Sequence, residues 1–82
     1  MPGETLSRFN FWTIFTLLPD GSLQLNHELV VNGAYFSNGT IIRNGELMAG
    51  VDMNKRRGQD LAVVTAPDGA YILRGFYLPD GR

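Results

Sequence analysis

Leu18-Pro19-Asp20-Gly21-Ser22-Leu23-Gln24-Leu25-Asn26-His27-Glu28-Leu29-Val30-Val31-Asn32-Gly33 is the stretch that decides the fold class. It opens on Pro-Asp-Gly, where proline holds φ near about −65°, aspartate bonds nearby backbone and glycine accepts positive φ. It closes on Asn-Gly, the dipeptide favoured in two-residue hairpin turns because both central residues need positive φ. Between these turn units Leu23, Leu25, His27, Leu29 and Val31 alternate with Ser22, Gln24, Asn26 and Glu28. A period of two with one apolar face is the pattern of a half-buried strand.

The same punctuation recurs outward from this stretch. Pro-Asp-Gly returns at 67–69 and 79–81, and Asn-Gly at 38–39 and 44–45. Runs of β-branched, leucine and aromatic residues lie between, which predicts strands over 9–18, 22–31, 34–37, 40–43, 46–51, 61–66 and 70–78. No segment shows convincing helical spacing. The expectation is an all-β chain, a small antiparallel barrel or sandwich of about six or seven short strands joined by Asn-Gly and Pro-Asp-Gly turns. Strand order, and the choice between barrel and sandwich, stay open.

Two internal regularities are weaker. The six-residue spacing of Asn32, Asn38 and Asn44 would stack Phe36, Ile42 and Met48 as rungs of a β-helix. Nothing before Asn32 or after Ala49 continues that period, so a meander is preferred. The echo between 18–25 and 66–73 is explained by shared turn chemistry. One β domain over 1–82 is expected, with a tail at 1–8 and a basic loop at 52–60. The last Pro-Asp-Gly is followed by no strand, as in a tail or a truncated piece.

A chain of 82 residues buries only about 60% of its unfolded surface, so its own core is modest. Charged residues are 18%, against about 25% in an average soluble domain. A surface this poor in charge suits one partly covered by a partner. The net charge of −1 supplies no global field for nucleic acid or an anionic membrane. With no cysteine and no basic leader before an apolar core, the expected compartment is the cytoplasm. The longest apolar stretch falls far short of the ~20 residues that span a bilayer, so no membrane is expected as a partner. Asn38-Gly39-Thr40 is taken as a turn, not a glycosylation site.

Catalytic chemistry finds little to work with. One histidine and no cysteine cannot make the usual zinc sets. Asp52-Met53-Asn54 begins like a calcium loop but continues with Arg56 and Arg57, and places Val63 where a bidentate glutamate belongs. Three serines sit in no nucleophile motif, and the glycines make no phosphate-cradling loop. No metal, no cofactor and no enzymatic activity are expected. The chain carries no motif set of a known family, so these readings rest on the residues alone.

Three surfaces are candidates for binding. Residues 9–18 carry no charge, and as a strand they would turn Phe11, Phe15 and Leu17 one way and Trp12, Ile14 and Leu18 the other. Such a two-sided apolar run invites pairing with a second copy. Phe11, Trp12, Ile14, Phe15 and Leu18 are therefore the expected homo-oligomer interface, and assembly or binding the expected function. Lys55, Arg56 and Arg57 form a local basic loop, an alternative site for an anion or nucleic acid, although Asp52 and Asp60 flank it. His27, Tyr35 and Tyr71 are the candidate lining of a small-molecule pocket. Period two places His27 with the leucines and Glu28 on the opposite face, unless a bulge intervenes.

Overall fold

Pro-Asp-Gly and Asn-Gly reverse the chain where their residue chemistry requires. The computed structural model describes residues 6–77; the expected turn at 79–81 and most of the expected tail lie outside them. Asn32 and Gly33 have φ of 50° and 81°, the pair of positive values an Asn-Gly hairpin needs. They join β4 (Leu29–Val31) to β5 (Ala34–Phe36). At 38–39 and 44–45 only the glycines have positive φ. Two further hairpins close on Pro-Asp-Gly: β2 (Phe15–Leu17) with β3 (Leu23–Leu25), and β7 (Leu61–Thr65) with β8 (Tyr71–Phe76).

The remaining strands are β1 (Ser7–Phe9) and β6 (Ile41–Ile42). One sheet has five strands in the order β1-β7-β8-β4-β5, and the other three in the order β2-β3-β6. The chain is all-β, as expected, but not wholly antiparallel. β4 runs parallel to β8, pairing Leu29 with Tyr71 and Val30 with Ile72. Neither sheet closes into a barrel among the described residues. Ser7 and Arg8, expected in a tail, belong to the edge strand β1.

The strand expected over 9–18 is interrupted. Asn10 caps a single helical turn, α1 (Phe11–Ile14), by accepting a hydrogen bond from the Trp12 N–H at 2.9 Å. Phe11, Ile14 and Phe15 stand at i, i+3 and i+4, so one helical turn delivers all three to the same side. All three are buried. The period that mattered here was helical, which the alternating strand pattern concealed.

The strand expected over 22–31 also breaks, at Asn26, His27 and Glu28, and its halves join different sheets. Asn26 makes the corner: its N–H donates to the Ile14 carbonyl at 2.8 Å, and its side-chain carbonyl accepts from the Thr16 hydroxyl at 2.8 Å. Leu25 and Leu29 are four positions apart, an even offset, so the apolar face survives the break. Leu23, Leu25, Leu29 and Val31 are all buried. The expected strand over 46–51 shrinks to one bridge between Met48 and Val51, closed around Ala49 and Gly50.

Side chains from both sheets meet in one core: Phe15, Leu23, Leu25 and Ile42 from the smaller, Leu29, Val31, Leu61 and Val63 from the larger. Met48 and Met53 close it from the connecting loops. Among the described residues no helix is long and apolar enough to cross a membrane.

Candidate functional site

The apolar segment 9–18 divides between core and surface. Phe11, Ile14 and Phe15 are spent on the chain's own core, Phe11 and Phe15 stacking at 4.7 Å between ring centroids. Leu18 is half-buried. What remains exposed is Trp12, at 42%, and Leu17, at 50%, the latter on β2, which among the described residues pairs only with β3.

The second group is not brought together. His27 stacks on Tyr71 with ring centroids 3.7 Å apart and an interplanar angle of 6°, so the two rings close on each other and leave no space between. The His27 Nδ1 is also 3.0 Å from the Glu28 carbonyl oxygen. Tyr71 continues the stack to Phe9 at 4.9 Å. His27 therefore sits at the corner between β3 and β4 and not among the leucines of one continuous strand. Tyr35 is on the other face of the sheet: it pairs with Val30, whereas Tyr71 pairs with Leu29.

The basic loop is more productive. Asp52 accepts from the Asn54 N–H at 3.0 Å and starts a 3-10 turn over Met53–Arg56, with Met53 buried in the core as its anchor. The Asn54 side-chain amide donates to the Arg43 carbonyl at 3.2 Å. Arg57 is consumed in holding the loop: its guanidinium donates to the Gly21 carbonyl and to the Asn54 side-chain carbonyl. Arg56 instead lies over the Phe76 ring, 5.4 Å from its centroid. Of the three basic residues expected to act together, one is structural, one reaches towards β8, and Lys55 stays exposed on the loop.

Arg56 stands between two clefts. One, of about 440 Å³, is lined by Gly50, Val51, Asp52, Lys55 and Arg56. The other, of about 210 Å³, has Val31, Val51, Leu73 and Phe76 as apolar walls and Arg56 and Arg74 as its charged groups. Among the described lining residues, a carboxylate, Asp52, belongs to the first and none to the second.

The second cleft exists because β4 is short. β4 accompanies β8 only as far as Ile72, and the turn at Asn32 and Gly33 then carries the chain away to β5. The flank of β8 beyond Ile72 is left uncovered, and four consecutive residues, 73–76, line the cleft. Asn32 ties this turn to the 48–51 hairpin by donating from its side-chain amide to the Ala49 carbonyl at 2.9 Å. β8 is also irregular here. Val63 pairs with Leu73 and Ala62 with Gly75, so Arg74 is the extra residue of a β-bulge.

Sequence reasoning found Arg56 and missed Arg74, Val31, Val51 and Phe76. The available signal was Arg74-Gly75 inside the apolar run 71–76, since a charge and a glycine in a strand pattern mark a bulge. Among the described residues no three His, Cys, Asp or Glu side chains gather to hold a metal ion. The chain matches no protein-family model, no curated protein and no solved structure.

Proposed function

We propose that the protein is a non-enzymatic β module that works by binding, and that it holds an anionic group in the cleft beside β8. One observation carries this reading. Arg56, its guanidinium over the Phe76 ring, lines a cleft whose described lining residues include no carboxylate. Arg57 is engaged within the loop, which favours a compact anion over the extended track of charge a nucleic acid needs. The test is an amide-resolved NMR titration with inorganic phosphate at low ionic strength. Shifts confined to the amides of Val51, Arg56 and residues 73–76, lost in Arg56→Gln and screened by salt, are expected. A spectrum unchanged by phosphate and by small organic anions alike would remove the reading.

A second reading is self-association through the exposed part of segment 9–18. It is favoured by Trp12 on α1 and Leu17 on β2, both exposed in a segment without charge, β2 being an edge strand among the described residues. Light scattering on a sizing column at micromolar concentration is expected to show a dimer or larger species. Trp12→Asp should return the chain to a monomer without unfolding it. A monomeric parent chain would discard this reading and leave the cleft untouched.

A further inference from the structure

We infer that Asn44 is a site of spontaneous covalent modification, in which the Gly45 backbone nitrogen attacks the Asn44 side-chain amide and leaves an aspartate or isoaspartate at that position. The chain carries the same dipeptide at 32–33, 38–39 and 44–45, so the letters alone do not rank the three. Their hydrogen bonds do.

The reaction is intramolecular and consumes only water. The Gly45 nitrogen gives up its proton and bonds to Asn44 Cγ, the bond from Cγ to Nδ2 breaks, and the amide nitrogen departs with that proton as ammonia. Water then opens the five-membered cyclic imide at either carbonyl. Opening at Cγ leaves aspartate; opening at the main-chain carbonyl leaves isoaspartate, with the backbone routed through Cβ and Cγ. Glycine favours the attack because no Cβ crowds the nitrogen, and adjacency in the chain makes the step unimolecular. A hydrogen bond on either reacting group opposes it, since that bond must break first.

At the first two positions one reacting group is held. The Asn32 side-chain amide donates to the Ala49 carbonyl at 2.9 Å, and bringing its Cγ onto the Gly33 nitrogen would cost that bond. At Asn38 the nitrogen is withheld, because the Gly39 N–H donates to the Leu25 carbonyl at 2.8 Å. The Leu25 N–H donates in turn to the Thr40 carbonyl at 2.8 Å, so this loop is pinned to β3.

Asn44 and Gly45 are held by neither kind of bond. Their turn is closed by its end residues: the Glu46 N–H donates to the Arg43 carbonyl at 3.0 Å, and the Arg43 N–H to the Glu46 carboxylate at 2.6 Å. Among the described residues neither the Asn44 amide nor the Gly45 N–H has a hydrogen-bond partner. Both residues are exposed, and a Cβ built on Gly45 would meet nothing within 4 Å, so the side chain has room to swing and water reaches the imide.

The product alters a contact already described. The new carboxylate takes the formal net charge from −1 to −2. Isoaspartate also adds one backbone atom to a turn whose Arg43 carbonyl accepts the Asn54 side-chain amide at 3.2 Å, the tie between this turn and the basic loop.

The test is to age the full chain in mildly alkaline buffer, folded and in urea, and to follow each asparagine by proteolysis and fragmentation mass spectrometry. In the folded chain Asn44 should gain about 1 Da at least about fivefold faster than Asn32 or Asn38, the rate equivalent of one hydrogen bond. Isoaspartate and aspartate should both form. In urea the three rates should converge to within about twofold, because the bonds that separate them are gone. Asn32 or Asn38 reacting as fast as Asn44 in the folded chain would overturn the assignment, as would the same order persisting in urea. A product containing aspartate alone would overturn the route through the imide.

Discussion

The two hairpins that close on Pro-Asp-Gly share their turn and differ in almost everything the turn does not control. In each, the residue before proline, Leu18 or Ala66, donates its N–H at 2.8 Å to the carbonyl of the residue after glycine, Ser22 or Ala70. The glycine N–H donates back to the residue before proline at 2.9 Å, and the aspartate accepts the N–H two residues on at 3.0 Å. Gly21 and Gly69 have φ of 90° and 93°. Yet β2 pairs with β3 over three residues at the edge of the small sheet, leaving Leu17 half exposed. β7 and β8 lie inside the larger sheet, with Leu61 and Val63 wholly buried. Turn chemistry sets where the chain reverses; the cover found by each face sets what the strands contribute.

The largest test of that separation is in the strands. Leu61→Ala should cost about 3 kcal/mol, because it empties a fully buried site, and Leu17→Ala under about 1 kcal/mol. Urea unfolding of the two variants reads both values, and equal losses would break the comparison. The turns should behave the opposite way. Gly21→Ala and Gly69→Ala force a Cβ into left-handed backbone in open space, and each should lose about 1 to 2 kcal/mol, equal to within about 0.5 kcal/mol.

The smallest test concerns the one place where the turns differ chemically. Asp20 accepts hydrogen bonds from both the hydroxyl and the N–H of Ser22, which hold its carboxyl below the ordinary aspartate value. Asp68 has only the Ala70 N–H at the corresponding position. Because the folded value of Asp20 is depressed, its contribution is present above the ordinary carboxylate value and is lost as pH falls through the folded one. The stability gap between the parent chain and Asp20→Asn should therefore close in acid. Ser22→Ala should raise the Asp20 value towards the ordinary one, as read by carboxyl-carbon titration.

The hairpins were legible because Pro-Asp-Gly and Asn32-Gly33 act within four residues, and short-range chemistry is written in adjacent letters. The strand ends were less so. Residues 9–18 alternate well enough to pass for a strand, but Asn10 can cap a helical turn, and that turn buries Phe11, Ile14 and Phe15 together. Residues 22–31 keep one unbroken alternation while Asn26 folds the backbone between two sheets. Periodicity reports which side chains face the core, and it survives a corner that preserves parity. Of the cleft, Arg56 was visible as a loop charge, and Arg74, 18 positions further along the chain, was not.

By itself the sequence determined that this chain is all-β, where its hairpins reverse, and that Leu23, Leu25, Leu29 and Val31 share one side, since each follows from local backbone preference or from period two. The parallel pairing of β4 with β8 and the division of the strands between two sheets were decided by the tertiary structure. So were the bulge at Arg74 and the cleft that Arg56 and Arg74 share with Val31, Val51 and Phe76. These depend on contacts between residues far apart in the chain, whose free energy exists only once the separate elements have packed.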